Sequence, residues 1–342
     1  MPPETPAPDP APDPAQDPAQ DPAPAPLGRL LVAAVTPFRA DGTVDVAGFE
    51  RHLDALARDG ADGVVVGGTT GEGTTLTDDE RTDLVVCAVD VLGGRATVVA
   101  ASGSADTAHS VVLSQAAEEA GAEALMVVTP YYCRPSQAGL LAHLWTVADA
   151  TDLPVMLYDV PRRTGSRLAE PTLARAAQHP NVVALKESGG DLARVARVAG
   201  DTGLACYGGD DATALPALAA GAAGLVGVAA NVAPASYRRL IDAAAAGDLA
   251  AAAAAHRDLL PLARALNDHV PPAVATKAVL HALGRVDGPR VRLPLVGPEP
   301  EEADAVVADL AAVPASVDPA LARVALAADA LAGGALQAHR PT

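Results

Sequence analysis

Along most of the chain, short apolar runs alternate with longer stretches in which apolar residues recur at helical spacing. The runs fall at 30–36, 63–66, 97–101, 124–128, 155–158, 182–186, 204–207 and 224–228. Such runs, rich in Val, Ala and Leu and separated by amphipathic segments, predict strands buried on both faces within repeated βα units and a parallel sheet. Eight of them within about 200 residues favour a closed (β/α)8 TIM barrel over an open doubly wound sheet. One helix start is explicit: Thr77-Asp78-Asp79-Glu80 has the pattern of a capping box. After residue 232 the strand signal stops and Ala-rich helical sequence follows, including 241–266, 272–283 and 301–336 with a break at Pro314.

Residues 1–26 differ in kind. They repeat Ala-x-Asp-Pro and hold 11 of the 30 prolines, so almost nothing there can be buried. The expected organisation is a disordered Pro/Ala/Asp tail over 1–26, a barrel over 27–231 and a C-terminal helical region over 232–342. The tail lacks the basic start and apolar centre of a secretory signal.

Composition narrows the function. A net charge of −18 argues against nucleic-acid and anionic-membrane partners, which need a basic surface. Three widely spaced cysteines, Cys87, Cys133 and Cys206, form no paired framework and suggest reduced thiols in a cytoplasmic protein. The eight histidines are scattered with no ligand-spaced pair at strand ends, which disfavours a metal, and no dinucleotide fingerprint follows the first strand; no cofactor is expected.

Only two of the 24 basic residues are lysine, and one of them, Lys186, ends the sixth apolar run. Arginine can replace lysine for charge but not as a carbonyl nucleophile, because guanidinium keeps its proton near neutrality whereas a buried ammonium can lose it. Position alone leaves two readings of Lys186, a Schiff-base nucleophile or a side chain snorkelling from a strand end. The other strand ends add chemistry. Gly68-Thr69-Thr70-Gly71-Glu72 follows the second run, and Pro130-Tyr131-Tyr132 the fourth. Tyr158-Asp159-Val160-Pro161-Arg162-Arg163 closes the fifth, and Tyr207-Gly208-Gly209-Asp210-Asp211 the seventh. Four of the five tyrosines therefore lie at strand ends, where tyrosines can relay protons and an arginine can grip a carboxylate in two places.

Together with Val35-Thr36-Pro37-Phe38, Lys186-Glu187 and Arg292-Leu293-Pro294-Leu295, these segments resemble the dihydrodipicolinate synthase family, in the wider N-acetylneuraminate lyase superfamily of pyruvate-dependent aldolases. The resemblance covers about residues 28–295. It implies that Lys186 forms an imine with pyruvate, that Tyr158 is the general acid/base, and that Thr69 and Tyr132 complete a proton relay. Tyr132 would come from a neighbouring subunit, which implies a dimer or a tetramer of paired dimers. Thr70, Arg163, Val226 and Gly209 would line the substrate site, with Arg163 on the carboxylate of aspartate 4-semialdehyde. The implied reaction condenses pyruvate with that aldehyde to 4-hydroxy-tetrahydrodipicolinate. Sugar-acid aldolases, lyases or dehydratases share the lysine, and a silent paralogue acting as a binding or regulatory protein is a third possibility. Arg163, with the intact reacting set, favours the synthase.

Departures from the family pattern carry their own expectations. Asp159 and Cys133 stand where the family often has Asn, and Asp159 is expected to bring negative charge near the imine site. Ala105 and His109 stand where some members hold feedback lysine with Asn and Glu, so lysine should inhibit weakly or not at all. Lys277, in a helical run, is expected to be structural or at the surface, and Glu72 to cap or brace its loop.

Overall fold

A computed structural model describes residues 25–321 and 324. Eight parallel strands close into a barrel in sequence order: β1 (Leu30–Ala33), β2 (Gly63–Val66), β3 (Thr97–Ala101), β4 (Ala124–Val128), β5 (Val155–Asp159), β6 (Val182–Glu187), β7 (Ala205–Gly208) and β8 (Gly224–Gly227). All eight predicted strands are present. Closure of β8 onto β1, with Val226 opposite Leu31, leaves no open sheet edge. The helices follow: α1 (Val46–Arg58), α2 (Asp78–Leu92), α3 (Thr107–Glu119), α4 (Gln137–Ala148), the single turn α5 (Pro161–Thr164), α6 (Glu170–Ala176), α7 (Leu192–Thr202) and α8 (Ala214–Ala219). Beyond β8 come α9 (Pro234–Ala245), α10 (Leu249–Asn267), α11 (Pro272–Ala282) and α12 (Pro300–Ala311).

Strand alternation divides the core in two. Leu31, Val65, Val99, Met126, Met156, Ala184 and Val226 fill the barrel interior. Leu30, Val32, Val64, Val98, Leu125, Leu157 and Leu185 face the helices. The helices around the barrel pack against that outer layer; α1 does so through a single stripe, burying Phe49, His52, Leu53 and Leu56 at helical spacing, whereas α11 is buried on all sides from Ala273 to Leu280. The capping box at Thr77 and Glu80 forms as the sequence predicts and starts α2.

The C-terminal region departs from its predicted outline. The helix expected over 241–266 is two, because Gly247 turns at φ 74° and Asp248 caps α10 by accepting from the Ala251 amide. The helical pattern expected to 336 is seen as α12, and its continuation past 324 lies outside the described residues. So does the Pro-rich tail, apart from its last two residues. Among the described residues no helix is long and apolar enough to cross a membrane.

Asn231, buried just beyond β8, fastens the barrel where it closes. Its amide donates to the Ala33 and Val228 carbonyls, and its Oδ1 accepts from the Val35 amide. That same oxygen lies 2.9 Å from His52 Nε2, so the Nε2–H tautomer is the one that satisfies both groups. Burial pulls His52 down to about 4, so it stays neutral in the fold. A folded-state value below the free value gives stability that is complete above pH 6.5 and is lost as pH falls toward 4, on the order of 3 kcal/mol. A His52→Gln variant should therefore lose less stability than the parent between pH 6.5 and 4, measured by chemical denaturation.

Candidate active site

Parallel pairing sets the centre of the site. β5 and β6 bring Tyr158 opposite Lys186 and Asp159 opposite Glu187, and β7 brings Tyr207 opposite Lys186. Because side chains alternate, Tyr158 and Lys186 belong to the barrel interior while Asp159 and Glu187 turn toward the helices. Lys186 is only 5% exposed, and its amine lies 4.4 Å from the centroid of the Tyr158 ring.

Above this pair opens a cavity of about 270 Å³. Thr69, Tyr131, Tyr158 and Arg163 line it, together with Arg81. Lys186 itself does not line the cavity but sits behind the Tyr158 ring on the adjacent strand. Thr70 is buried at the base of the same loop as Thr69. Arg163 is held at the rim by α5, whose Pro161 starts the turn and whose Gly165 ends it at φ 74°, the left-handed conformation that favours glycine. Val226 is fully buried on the inner face of β8.

Gly209 abuts the lysine directly. A Cβ there would lie 3.2 Å from Lys186 Cε and 2.0 Å from Ser188 Oγ, so only glycine lets the β7 end pass this close.

Two predicted groups stand elsewhere. Tyr132 is 93% exposed, with a backbone φ of 70°, and does not line this chain's cavity. Tyr207 lies inside the barrel, but its hydroxyl accepts from the Leu27 amide ahead of β1, at the opposite end from the cavity. Only two of the four strand-end tyrosines, Tyr131 and Tyr158, therefore line this mouth within one chain.

Asp159 corrects its expectation. It is wholly buried and faces away from the lysine, 2.6 Å from Arg194 Nη1. The same nitrogen lies 3.1 Å from Glu187 Oε2, and Arg194 Nη2 donates to the Leu168 carbonyl. Burial pushes both carboxyls up, against the pull of Arg194. Two carboxyls thus share one buried guanidinium immediately behind Tyr158 and Lys186. Sequence reasoning missed Arg194, because an arginine in a helix ordinarily reads as surface. The available signal was its position four residues before Val198, on the buried stripe of α7.

The remaining acidic residues act on the backbone. Asp211 accepts from the Val228 and Ala229 amides and from Asn267, fixing the turn after β8. Among the described residues no group of three or more His, Cys, Asp or Glu side chains could hold a metal ion.

Fold and site together define a class, a barrel enzyme of the aldolase-type lyases. The model of the dihydrodipicolinate synthetase family matches residues 26–313, and the chain belongs to that family. It is 48% identical over 272 residues to 4-hydroxy-tetrahydrodipicolinate synthase 1 of Streptomyces coelicolor, covering 79% of this chain and 89% of the relative. It is 47% identical over 289 residues to the 4-hydroxy-tetrahydrodipicolinate synthase of Acidothermus cellulolyticus, covering 84% and 93%. The crystal structure of chloride-inhibited dihydrodipicolinate synthase from Acinetobacter baumannii complexed with pyruvate superposes with a TM-score of 0.80 at 34% identity, over 84% of this chain and 99% of that one.

The Arg194 cluster makes opposite demands on its members. Arg194→Met strands two buried carboxyls and should cost about 3–5 kcal/mol. Asp159→Asn removes one of the two like charges and supplies a donor, so it should leave the thermal midpoint unchanged or raised. Thermal melts of the two variants at neutral pH check both.

Proposed function

We propose that this chain condenses pyruvate with L-aspartate 4-semialdehyde to form 4-hydroxy-tetrahydrodipicolinate and water, with Lys186 as the imine-forming residue. The observation that carries this reading is the register of β5 and β6, which sets a buried amine against a tyrosine ring beneath a cavity rimmed by an arginine.

The Lys186 amine adds to the ketone carbon of pyruvate, and loss of water gives the imine. A proton leaves the methyl carbon, and the resulting enamine adds to the aldehyde carbon of the second substrate. That substrate's own amine then displaces Lys186 and closes the ring. Tyr158 moves protons in these steps, with Thr69 and a Tyr132 from a second subunit as its relay. Thr70 takes the pyruvate carboxylate, close packing at Gly209 and Val226 shapes the pocket around the imine, and Arg163 takes the aldehyde's carboxylate through paired N–H groups. The full exposure of Tyr132, on a non-glycine residue held in the left-handed region, supports its service to a partner, so the working unit is at least a dimer.

Borohydride trapping in the presence of pyruvate should give one adduct, on Lys186, by mass spectrometry; a protein that carries none there does not work this way. Lys186→Arg should lower turnover by about three orders of magnitude or more. Neither that variant nor Tyr132→Phe should be active alone, yet dimers mixed from the two should recover activity, because one site then has both groups.

The feedback expectation also stands on a contact. His109 Nε2 lies 3.0 Å from the Asp78 carboxylate, so the residue standing in the place of an acidic ligand is itself paired to an acid. Initial rates in submillimolar lysine should match those without it.

A further inference from the structure

The second lysine, Lys277 on α11, is fully buried, more so than Lys186. Its ammonium pairs with the Glu72 carboxylate and donates to the Arg290 carbonyl at 2.9 Å, and it lies 3.9 Å from the centroid of the Phe38 ring. Arg292 covers the same ring at 4.4 Å. Its backbone amide donates to the other Glu72 oxygen at 2.8 Å, and its guanidinium grips Glu80 and the Gly42 and Thr75 carbonyls. The sequence reading of Lys277 as structural or at the surface resolves to a buried structural contact.

Glu72 belongs to the loop that carries Thr69 and Thr70. Its amide closes a turn on the Thr69 carbonyl, and the Gly73 amide returns to Gly68. Its backbone sits at φ 56°, a left-handed conformation that costs a non-glycine residue on the order of 1–2 kcal/mol. A charged, buried side chain on a strained backbone position is over-determined by its partners, and those partners come from α11 and the segment around Arg292. The loop's other ties are to neutral backbone carbonyls: Thr36 Oγ1 donates to Gly71, Arg81 to Gly73 and Thr75 to Glu72.

We propose that Glu72 and Lys277 are positioning residues which lock the Thr69–Thr70 turn in the geometry that receives the substrate carboxylate. This rests on the function proposed above. Neither residue touches substrate, and Lys277 is no second nucleophile, since Glu72, Arg290 and the Phe38 ring enclose its amine. The charged groups facing the ammonium are Glu72 and Arg292, with Glu80 beyond Arg292. Burial pulls Lys277 down to about 8, so the ammonium gives up its charge within the working range of an enzyme assay, the Glu72 carboxylate loses its cation, and the turn should loosen as pH rises through that value.

The test compares Glu72→Gln with the parent enzyme. Glu72→Gln leaves a neutral amide opposite an amine that can itself become neutral, so the fold is retained. The Michaelis constant for pyruvate should rise about tenfold, with turnover at saturating pyruvate changed less than about threefold. In the parent, the Michaelis constant for pyruvate should rise from pH 7 to 9 with an inflection near 8, and in Glu72→Gln it should be high and flat. A Michaelis constant within about twofold of the parent overturns the proposal. Should Glu72→Gln be unstable, the same measurement on Lys277→Gln decides, a Michaelis constant within about twofold of the parent overturning the proposal. Borohydride trapping separates the two readings: an adduct on Lys186 with unchanged pyruvate binding refutes the positioning role alone, and no adduct refutes the function beneath it.

Discussion

In a strand covered on both faces, each residue is committed to one side by its neighbours, and at the ends of β5 and β6 that commitment organises the site. Tyr158 and Lys186 go inward together because their strands pair in register, and Asp159 and Glu187 must then go outward together. A one-residue slip of either strand toward its next residue would turn Asp159 or Glu187 inward in place of Tyr158 or Lys186. Arg194 opposes such a slip, since it meets both outward carboxylates and can do so only in the observed register. The cavity side of the sheet is held by ionic contacts on its reverse side.

The same logic recurs at the mouth. The loops that carry hydroxyls and cations are short of apolar contacts, so they are secured by buried charges and backbone bonds from distant sequence. Glu72 reaches Lys277 and Arg292, more than 200 residues away, and Asp211 reaches both the turn after β8 and Asn267. These ties give the helical extension a purpose beyond bulk: α10 and α11 cover the barrel and supply the anchors on which its loops rest. Buried ion pairs of this kind contribute little net stability but penalise every arrangement that separates them, which suits a site needing one geometry rather than a deeper energy minimum.

What the sequence makes legible here follows from how far each signal must reach. The eight strands were readable because burial on both faces writes an apolar run of a few residues, a local record. Capping at Thr77 was readable for the same reason. The break at Gly247 was hidden by the helix preference of the alanines around it. Asn231 was illegible, and Arg194 readable only as a position on the stripe of α7, because a buried polar group is defined by partners that the fold alone assembles: 35 residues away for Arg194 and Asp159, 179 for Asn231 and His52. Tyr207 shows a further limit. Its strand position was correct, but a ring long enough to run along the barrel axis carries its hydroxyl to the far end. Tyr132 reads as a site residue only when a second copy is considered, and one chain places it in solvent.

Both lysines of this chain are internal, and arginine supplies every other side-chain cation. The outer surface therefore presents no lysine amine. For a protein that handles a ketone and an aldehyde, this separates wanted from unwanted condensation: guanidinium keeps the exterior charged yet inert toward carbonyls, and the one amine set beside the cavity is spared competition from its own surface.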